Sequence, residues 1–166
     1  MSQKANQLSR AVWVVSRFPS RWQPWLLSRL MGTIIPFAGT AKIRVTALQA
    51  NECIVQVKNR KRVQNHIGSV HAAAMALIAE SATGFMTALS VPDNRIIVLR
   101  SMELTYVKRA TGDMTARAYF SPEQLTHIQE TEKGDIEVPV TITDVNGDET
   151  VEARMVWAWT PKKKKS

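Results

Sequence analysis

Between residues 41 and 48, apolar Ile43, Val45 and Ala47 alternate with Lys42, Arg44 and Thr46. Successive side chains of a strand point to opposite faces, so a period of two predicts a half-buried strand over 41–48. Gln49–Asn51 supply a turn and Cys53–Val57 a second strand, which together predict a hairpin. From Ser69 to Leu89 the pattern changes. Ala72, Ala73, Ala74, Ala76, Ala79, Ala82 and Ala88 are strong helix formers, and Glu80 is the one formal charge in the segment. A helix this poor in charge offers water no face, so it is predicted to be buried nearly all round, with Ser69 as its N-cap. Twenty residues at 1.5 Å each span about 30 Å, the width of a small domain. Past the Pro92-Asp93-Asn94 turn, Arg95–Val107 reads as a long strand with Ile97, Leu99, Ser101, Glu103, Thr105 and Val107 on one side, and Met114–Phe120 as another. Ser121-Pro122-Glu123 opens a short helix to about Lys133. Ile136–Val145 and Thr150–Trp159 are strands joined at Asn146-Gly147-Asp148.

The first forty residues read differently. Pro19 and Pro24 divide them into two short helices, about 4–18 and 22–31, in which Arg10, Arg17, Arg21 and Arg29 recur among apolar residues. Trp22 and Trp25 are expected to pack on the domain as core. The other reading seats these helices in a membrane interface, where Trp beside Arg is favoured. The chain thus divides into a basic helical extension (1–39), one α+β domain (40–161) and a polybasic tail (162–166).

Composition narrows the function classes. No stretch approaches the roughly 20 apolar residues of a membrane span, and the run Ala11–Val15 is too short for the core of a secretory signal. The single cysteine, Cys53, excludes an intramolecular disulfide framework, and three scattered His residues give no metal-ligand spacing, so no metal is expected. A reducing, cytoplasmic setting fits. The Arg-rich, acid-free start also has the composition of a mitochondrial transit peptide, which leaves the matrix as the alternative. The net charge of +8 is unevenly spread: +10 over residues 1–62, −6 over 63–161 and +4 in Lys162–Lys165. Such a basic half attracts anions. It lacks the RNA-recognition and zinc-finger signatures, so no nucleic-acid partner is expected.

One motif carries chemistry. Asn65-His66-Ile67-Gly68-Ser69-Val70-His71-Ala72-Ala73 is followed by Glu80 in the same predicted helix. Its spacing resembles the Asn-x-x-Gly-x-x-His-Gly-Gly motif, with an acid nine residues after the His, of the phenylacetate-type acyl-CoA thioesterases. Leu104-Thr105-Tyr106-Val107-Lys108-Arg109-Ala110 is similar to that family's strand ending in an aromatic. The resemblance covers about residues 40–160 and lies nearest an uncharacterised branch of the superfamily that carries extra N-terminal helices. It implies the hot-dog fold, an antiparallel sheet wrapped around a long central helix.

It also implies an activity: metal-independent hydrolysis of an acyl-CoA thioester, with coenzyme A as part of the substrate and no other cofactor. The Ala72 N–H at the helix start would meet the developing oxyanion. Glu80 would act as general base or nucleophile. Asn65 would help hold the water or thioester opposite the acid of a second subunit, and Gly68 and His71 would shape the loop. Arg60, Lys61, Arg62, Lys108 and Arg109, with Lys58, are candidates for the phosphates of coenzyme A. A homodimer is the expected minimum, with a dimer of dimers as the larger form. Two features depart from the family pattern: Ala72-Ala73 replaces its glycine pair, and Glu80 replaces the commoner Asp. The first opens the alternative of an acyl-CoA or lipid binder without turnover.

Three physical readings of the predicted helix stand without the resemblance. At about 100° per residue, Ala73, Leu77, Glu80 and Gly84 share a stripe of small and apolar residues, where burial would raise a carboxyl pKa toward that of a neutral-pH base. His71 and Glu80 fall on opposite helix faces, so they do not form a dyad within one chain. The small residues Ser81, Ala82, Thr83 and Gly84 are expected to permit close approach of another element.

Overall fold

The computed structural model describes residues 6–163. Three helices open the chain, α1 (Gln7–Ser16), α2 (Gln23–Ile34) and α3 (Pro36–Ala41). The strand pair β1 (Arg44–Leu48) and β2 (Glu52–Val57) follows, then a 3-10 turn (Lys61–Val63) and the long helix α4 (Ala72–Ser90). Strands β3 (Arg95–Tyr106) and β4 (Met114–Tyr119), helix α5 (Pro122–Glu130) and strands β5 (Gly134–Val138), β6 (Val140–Thr143) and β7 (Glu149–Pro161) complete it. The strands form one sheet in the order β1-β2-β4-β6-β7-β3, with β5 also on β7, and every pairing is antiparallel. α4 packs against β2, β4, β6, β7 and β3. This is the hot-dog arrangement expected from the motif.

α4 is buried because its side chains are small and apolar, so strands approach it from most directions. Ile78, Ala79, Ala82, Thr83, Met86 and Thr87 are fully buried, and the Thr83 and Thr87 hydroxyls donate back to the carbonyls of Ala79 and Thr83. The close approach expected at residues 81–84 is made within the chain, by Trp157 of β7. Its indole N–H donates to Thr83 Oγ1 at 2.9 Å, and a Cβ added at Gly84 would lie 2.6 Å from the ring. Gly84→Ala therefore gains helix propensity but forces the Trp157 ring to move. We expect a net loss of roughly 0–2 kcal/mol in urea unfolding, the difference between overpacking and propensity. A clear gain would show that the ring swings aside freely.

Several expectations need correction. The pattern at 36–41 is a third helix, started by Pro36 and stopped by Lys42 in the left-handed region at φ 51°, so β1 starts at Arg44 instead of Ala41. The N-cap of α4 is His71, and Ser69 lies three residues before the helix. β3 carries a bulge at Arg100, where the register with β7 shifts between Leu99 and Ser101. One extra residue reverses the alternation. Met102, Leu104 and Tyr106 therefore join Ile97 and Leu99 opposite the inward Trp159, Trp157, Met155, Ala153 and Val151 positions, while Glu103 and Thr105 turn outward. The single strand expected over 136–145 is β5 and β6, aligned on β7 on either side of Pro139, which has no N–H to donate.

The helical extension packs on the domain with one face. Leu27, Met31 and Ala38 join the main core, and α2 lies on β1. α2 and α3 meet at glycines: a Cβ on Gly39 would stand 2.7 Å from the Gly32 carbonyl oxygen. The first helix is tied down by Asn6, which is only 3% exposed. Its Nδ2 donates to the carbonyls of Ala88, Leu89 and Val91 at the end of α4, and its Oδ1 caps α1 by accepting from Ser9 N. The Trp residues do not pack as core: Trp13, Trp22 and Trp25 are 62%, 51% and 61% exposed. Residues 4 and 5 of the expected first helix, and Lys164 and Lys165 of the tail, lie outside the described residues.

Candidate functional site

The motif residues gather at one end of the sheet. The loop from Asn59 to His71 runs beside the ends of β2 and β3 and delivers the chain into α4. Asn59 fixes it twice, donating from its backbone to Asp113 Oδ1 at 2.8 Å and from Nδ2 to the Gly68 carbonyl at 3.1 Å. The loop turns on itself at Asn65, whose Oδ1 accepts from the Ile67 and Ser69 amides, both at 3.1 Å. Gly68 takes φ +76°, a conformation in which glycine alone is unstrained. The carboxamide oxygen of Asn65 is thus spent on the turn, and its Nδ2 makes no hydrogen bond among the described residues.

His71 ends the loop. Its Nδ1 accepts from the Ala73 N–H at 3.0 Å, satisfying one of the free donors of the helix start. The ring proton accordingly sits on Nε2. The Ala72 N–H, one position earlier, has no acceptor among the described residues, and Ala72 and Ala73 are both exposed. A free amide at a helix N-terminus, where the helix dipole is positive, suits a developing negative charge. The Ala72 carbonyl instead accepts from the Tyr106 hydroxyl at 2.9 Å, which brings the end of β3 against the start of α4. Sequence reasoning noted Tyr106 only as the aromatic of a strand motif. The Arg100 bulge turns it toward the helix.

We expect His71→Ala to cost about 1 kcal/mol of unfolding free energy through the lost cap, and His71→Asn to restore most of it. If His71→Asn keeps the stability but removes an activity, His71 does more than cap.

Glu80 lies two turns further along α4 and is half-buried. Burial raises its carboxyl above the ordinary Glu value, and a long 3.4 Å hydrogen bond from Ser81 Oγ offsets part of that rise. No basic side chain forms an ion pair with it among the described residues; the four ion pairs lie elsewhere. On the same side of the helix Ala72, Ala73 and Ala76 remain open, whereas Leu77 and Gly84 of the expected stripe are buried in the core. The arrangement offers a carboxylate made more basic by burial and, about 12 Å back along the helix at 1.5 Å per residue, a free amide.

The basic candidates divide. The Arg60 guanidinium is committed to the carbonyls of Ala41 and Lys42, at 2.6 and 3.1 Å, at the end of α3. Lys108 pairs with Asp148 at 2.6 Å. Lys58, Lys61, Arg62 and Arg109 are exposed. Asp144, which the sequence did not single out, organises this end: it accepts from the Thr111, Asn146 and Asp148 amides and so holds the loop carrying Lys108 and Arg109. The described residues contain no cluster of three His, Cys, Asp or Glu able to hold a metal. Cys53 is fully buried and its thiol is pushed far up by burial, so it is no nucleophile.

The chain is similar to several solved structures. A structural-genomics protein superposes with a TM-score of 0.74 at 26% identity, over 93% of this chain and 99% of its own. A Pseudomonas aeruginosa protein described as of unknown function and a probable thioesterase gives 0.73 at 23% identity, over 84% and 97%. A Haemophilus influenzae thioesterase gives 0.68 at 12% identity, over 85% and 92%. No curated protein matches the sequence. At these identities the likeness speaks for a shared hot-dog fold. The family model that matches residues 23–159 spans α2 through β7, most of the chain, and the protein belongs to that family, the domain of unknown function DUF4442.

Proposed function

We propose that this protein is an acyl-CoA thioesterase. The observation that carries the reading is Glu80: a half-buried carboxyl with a raised pKa and no cationic partner among the described residues, on the helix whose first amide is free. Structural burial of an acid without a partner is costly, and a base working near neutral pH is a use that repays it. The solved relatives described as thioesterases support the same class.

In the proposed reaction Glu80 removes a proton from water as the oxygen attacks the thioester carbonyl. The carbonyl electrons move to oxygen, which the Ala72 N–H of a second copy stabilises, since the amide of the same chain lies about 12 Å from Glu80 along the helix. On collapse the C–S bond breaks, the thiolate of coenzyme A leaves and takes up a proton, and the acid is released. A direct attack by the Glu80 carboxylate, followed by hydrolysis of the resulting anhydride, uses the same groups. A donor of the Ala72 kind is worth about 2.7–4 kcal/mol in the transition state.

A second copy completes the proposed site. β3 pairs with β7 on one side only and is the edge of the sheet, twelve residues long. Met102 and Tyr106 on this strand and Ala72 and Ala73 at the start of α4 are exposed, and Ala76 is partly so. Pairing of two β3 edges would cover this strip and bring Asn65 of one subunit toward Glu80 of the other. The phosphates of coenzyme A would meet Lys61, Arg62 and Arg109, the free members of the basic group, in preference to Arg60 and Lys108.

The alternative, binding without turnover, rests on Ala72-Ala73, whose methyl groups stand where a carbonyl must approach. A thiol-release assay over a panel of acyl-CoAs separates the two. Turnover on any member supports the hydrolase. Saturable binding of acyl-CoA with no thiol released would establish the binder.

A further inference from the structure

We propose that the helical layer formed by α1 and α2 docks on the surface of an anionic lipid bilayer. The proposal does not depend on Glu80 or on turnover. The chain has five Trp residues. The two in the sheet, Trp157 and Trp159, are buried, whereas Trp13, Trp22 and Trp25 are each more than half exposed. Phe18, between them, is 44% exposed. Four large aromatics left in water within thirteen residues are costly unless something covers them.

Their spacing is orderly. On α1, Arg10, Trp13, Val14 and Arg17 recur at i, i+3, i+4 and i+7 and are all exposed, which is one face of a helix. The Arg17 guanidinium lies 5.3 Å from the Trp13 ring centre. Around the start of α2, Trp22, Trp25, Arg29 and Thr33 form a second exposed stripe, at i, i+3, i+7 and i+11. The opposite face of α2, through Leu27 and Met31, is in the core. The connecting residues from Arg17 to Trp22 are all exposed. The face is therefore anchored from behind and open in front, with aromatic rings and guanidinium groups interleaved.

Charge selects the occupant. Residues 1–51 contain no acid, and the nearest acid fixed on this layer, Asp93, is used on the Gln7 amide at the far end of α1. A second copy docked face to face would set Arg10, Arg17, Arg21 and Arg29 against their own images. An anionic bilayer satisfies both chemistries, since Trp rings favour the headgroup boundary and arginines favour phosphates. The layer also runs into a cleft of about 560 Å³ lined by Trp25, Arg29, Lys42, Arg44, Lys58 and Arg60, with no acid among its walls. That cleft has the charge to take a headgroup phosphate.

The test is co-sedimentation of the full chain with vesicles of phosphatidylcholine alone and of phosphatidylcholine with phosphatidylglycerol. Binding is expected only with phosphatidylglycerol present, and it should weaken as salt is raised. Arg17→Glu with Arg21→Glu should lower the partition coefficient at least about tenfold. Trp22→Ser with Trp25→Ser should lower it as well and shrink the blue shift of tryptophan emission on binding to the part that Trp13 supplies. These positions are exposed, so unchanged thermal melts will confirm that the variants fold. Equal binding to both vesicle types, or variants that bind like the wild type, overturns the proposal. So does self-association that the Trp variants abolish, or capture of single-stranded RNA without capture of vesicles.

Discussion

Replacing Glu80 with Gln should lower kcat for thioester hydrolysis by roughly 10²–10⁴-fold, the usual contribution of a general base, with acyl-CoA affinity little changed. Gln is nearly isosteric, so the pocket is kept and only the proton acceptor is lost. The same change should stabilise the fold at neutral pH. Burial raises the folded-state pKa of Glu80 above its ordinary value of 4.5, so the fold prefers the neutral acid. The stability associated with neutral Glu80 is fully present below the unfolded value and is lost as pH rises through the folded one. Glu80→Gln carries no such penalty. Its melting temperature should match wild type in acid and exceed it above the raised pKa. Wild-type turnover should rise over that same interval, because the base must be deprotonated to act. Unchanged turnover in the variant removes Glu80 from the mechanism. Lost turnover with no gain in stability at neutral pH would mean that the carboxylate is better solvated, or better paired in the oligomer, than its half-burial implies.

Replacing Asn6 with Ala should cost roughly 2–4 kcal/mol. Two losses add. The cap of α1 is worth about 1 kcal/mol. The carbonyls of Ala88, Leu89 and Val91, which Nδ2 now serves, would be left short of donors, at about 1–3 kcal/mol. Urea unfolding measures the total. Amide hydrogen exchange shows where it falls: protection across Gln7–Ser16 should collapse first, because among the described residues only Asn6 and the bond from Gln7 to Asp93 tie the start of α1 to the domain by hydrogen bonds. Exchange unchanged across α1 would show that Leu8, Val12 and Val15, packed on the core, suffice to hold it.

Much of the fold is legible in the sequence because its signals are local. The alanine run fixes α4, alternation marks β1 and β2, and Ser121-Pro122 with Gln124 makes the capping box of α5. What escapes depends on partners far along the chain. Nothing around Arg100 announces a bulge; it appears only once β3 is laid against β7, and it turns Met102 and Tyr106 inward. Lys42 shows no residue-type preference for the left-handed turn it makes. Asn6 is an ordinary polar residue until the end of α4 meets it. The motif brings Asn65, Gly68, His71, Ala72 and Glu80 into one loop and one helix, since its spacing is itself local. The basic candidates scatter because charge says nothing about a partner: Arg60 and Lys108 already have theirs. The Trp residues of the extension mislead for a related reason. Hydrophobicity predicts that they will be covered, yet within the chain nothing covers Trp13, Trp22 and Trp25 among the described residues.

The position of β7 has a consequence for how the chain is made. This strand holds β3, β5 and β6, and it is synthesised after all three. β3 leaves the ribosome roughly 50 residues earlier, which at typical elongation rates leaves it about 3–10 s without its sheet neighbour. For that interval the apolar side of β3 and the Trp157 contact surface on α4 have nothing to close them. The nascent chain is then exposed to mispairing or capture by a chaperone, and a stop codon placed just before this 13-residue strand would leave it there permanently.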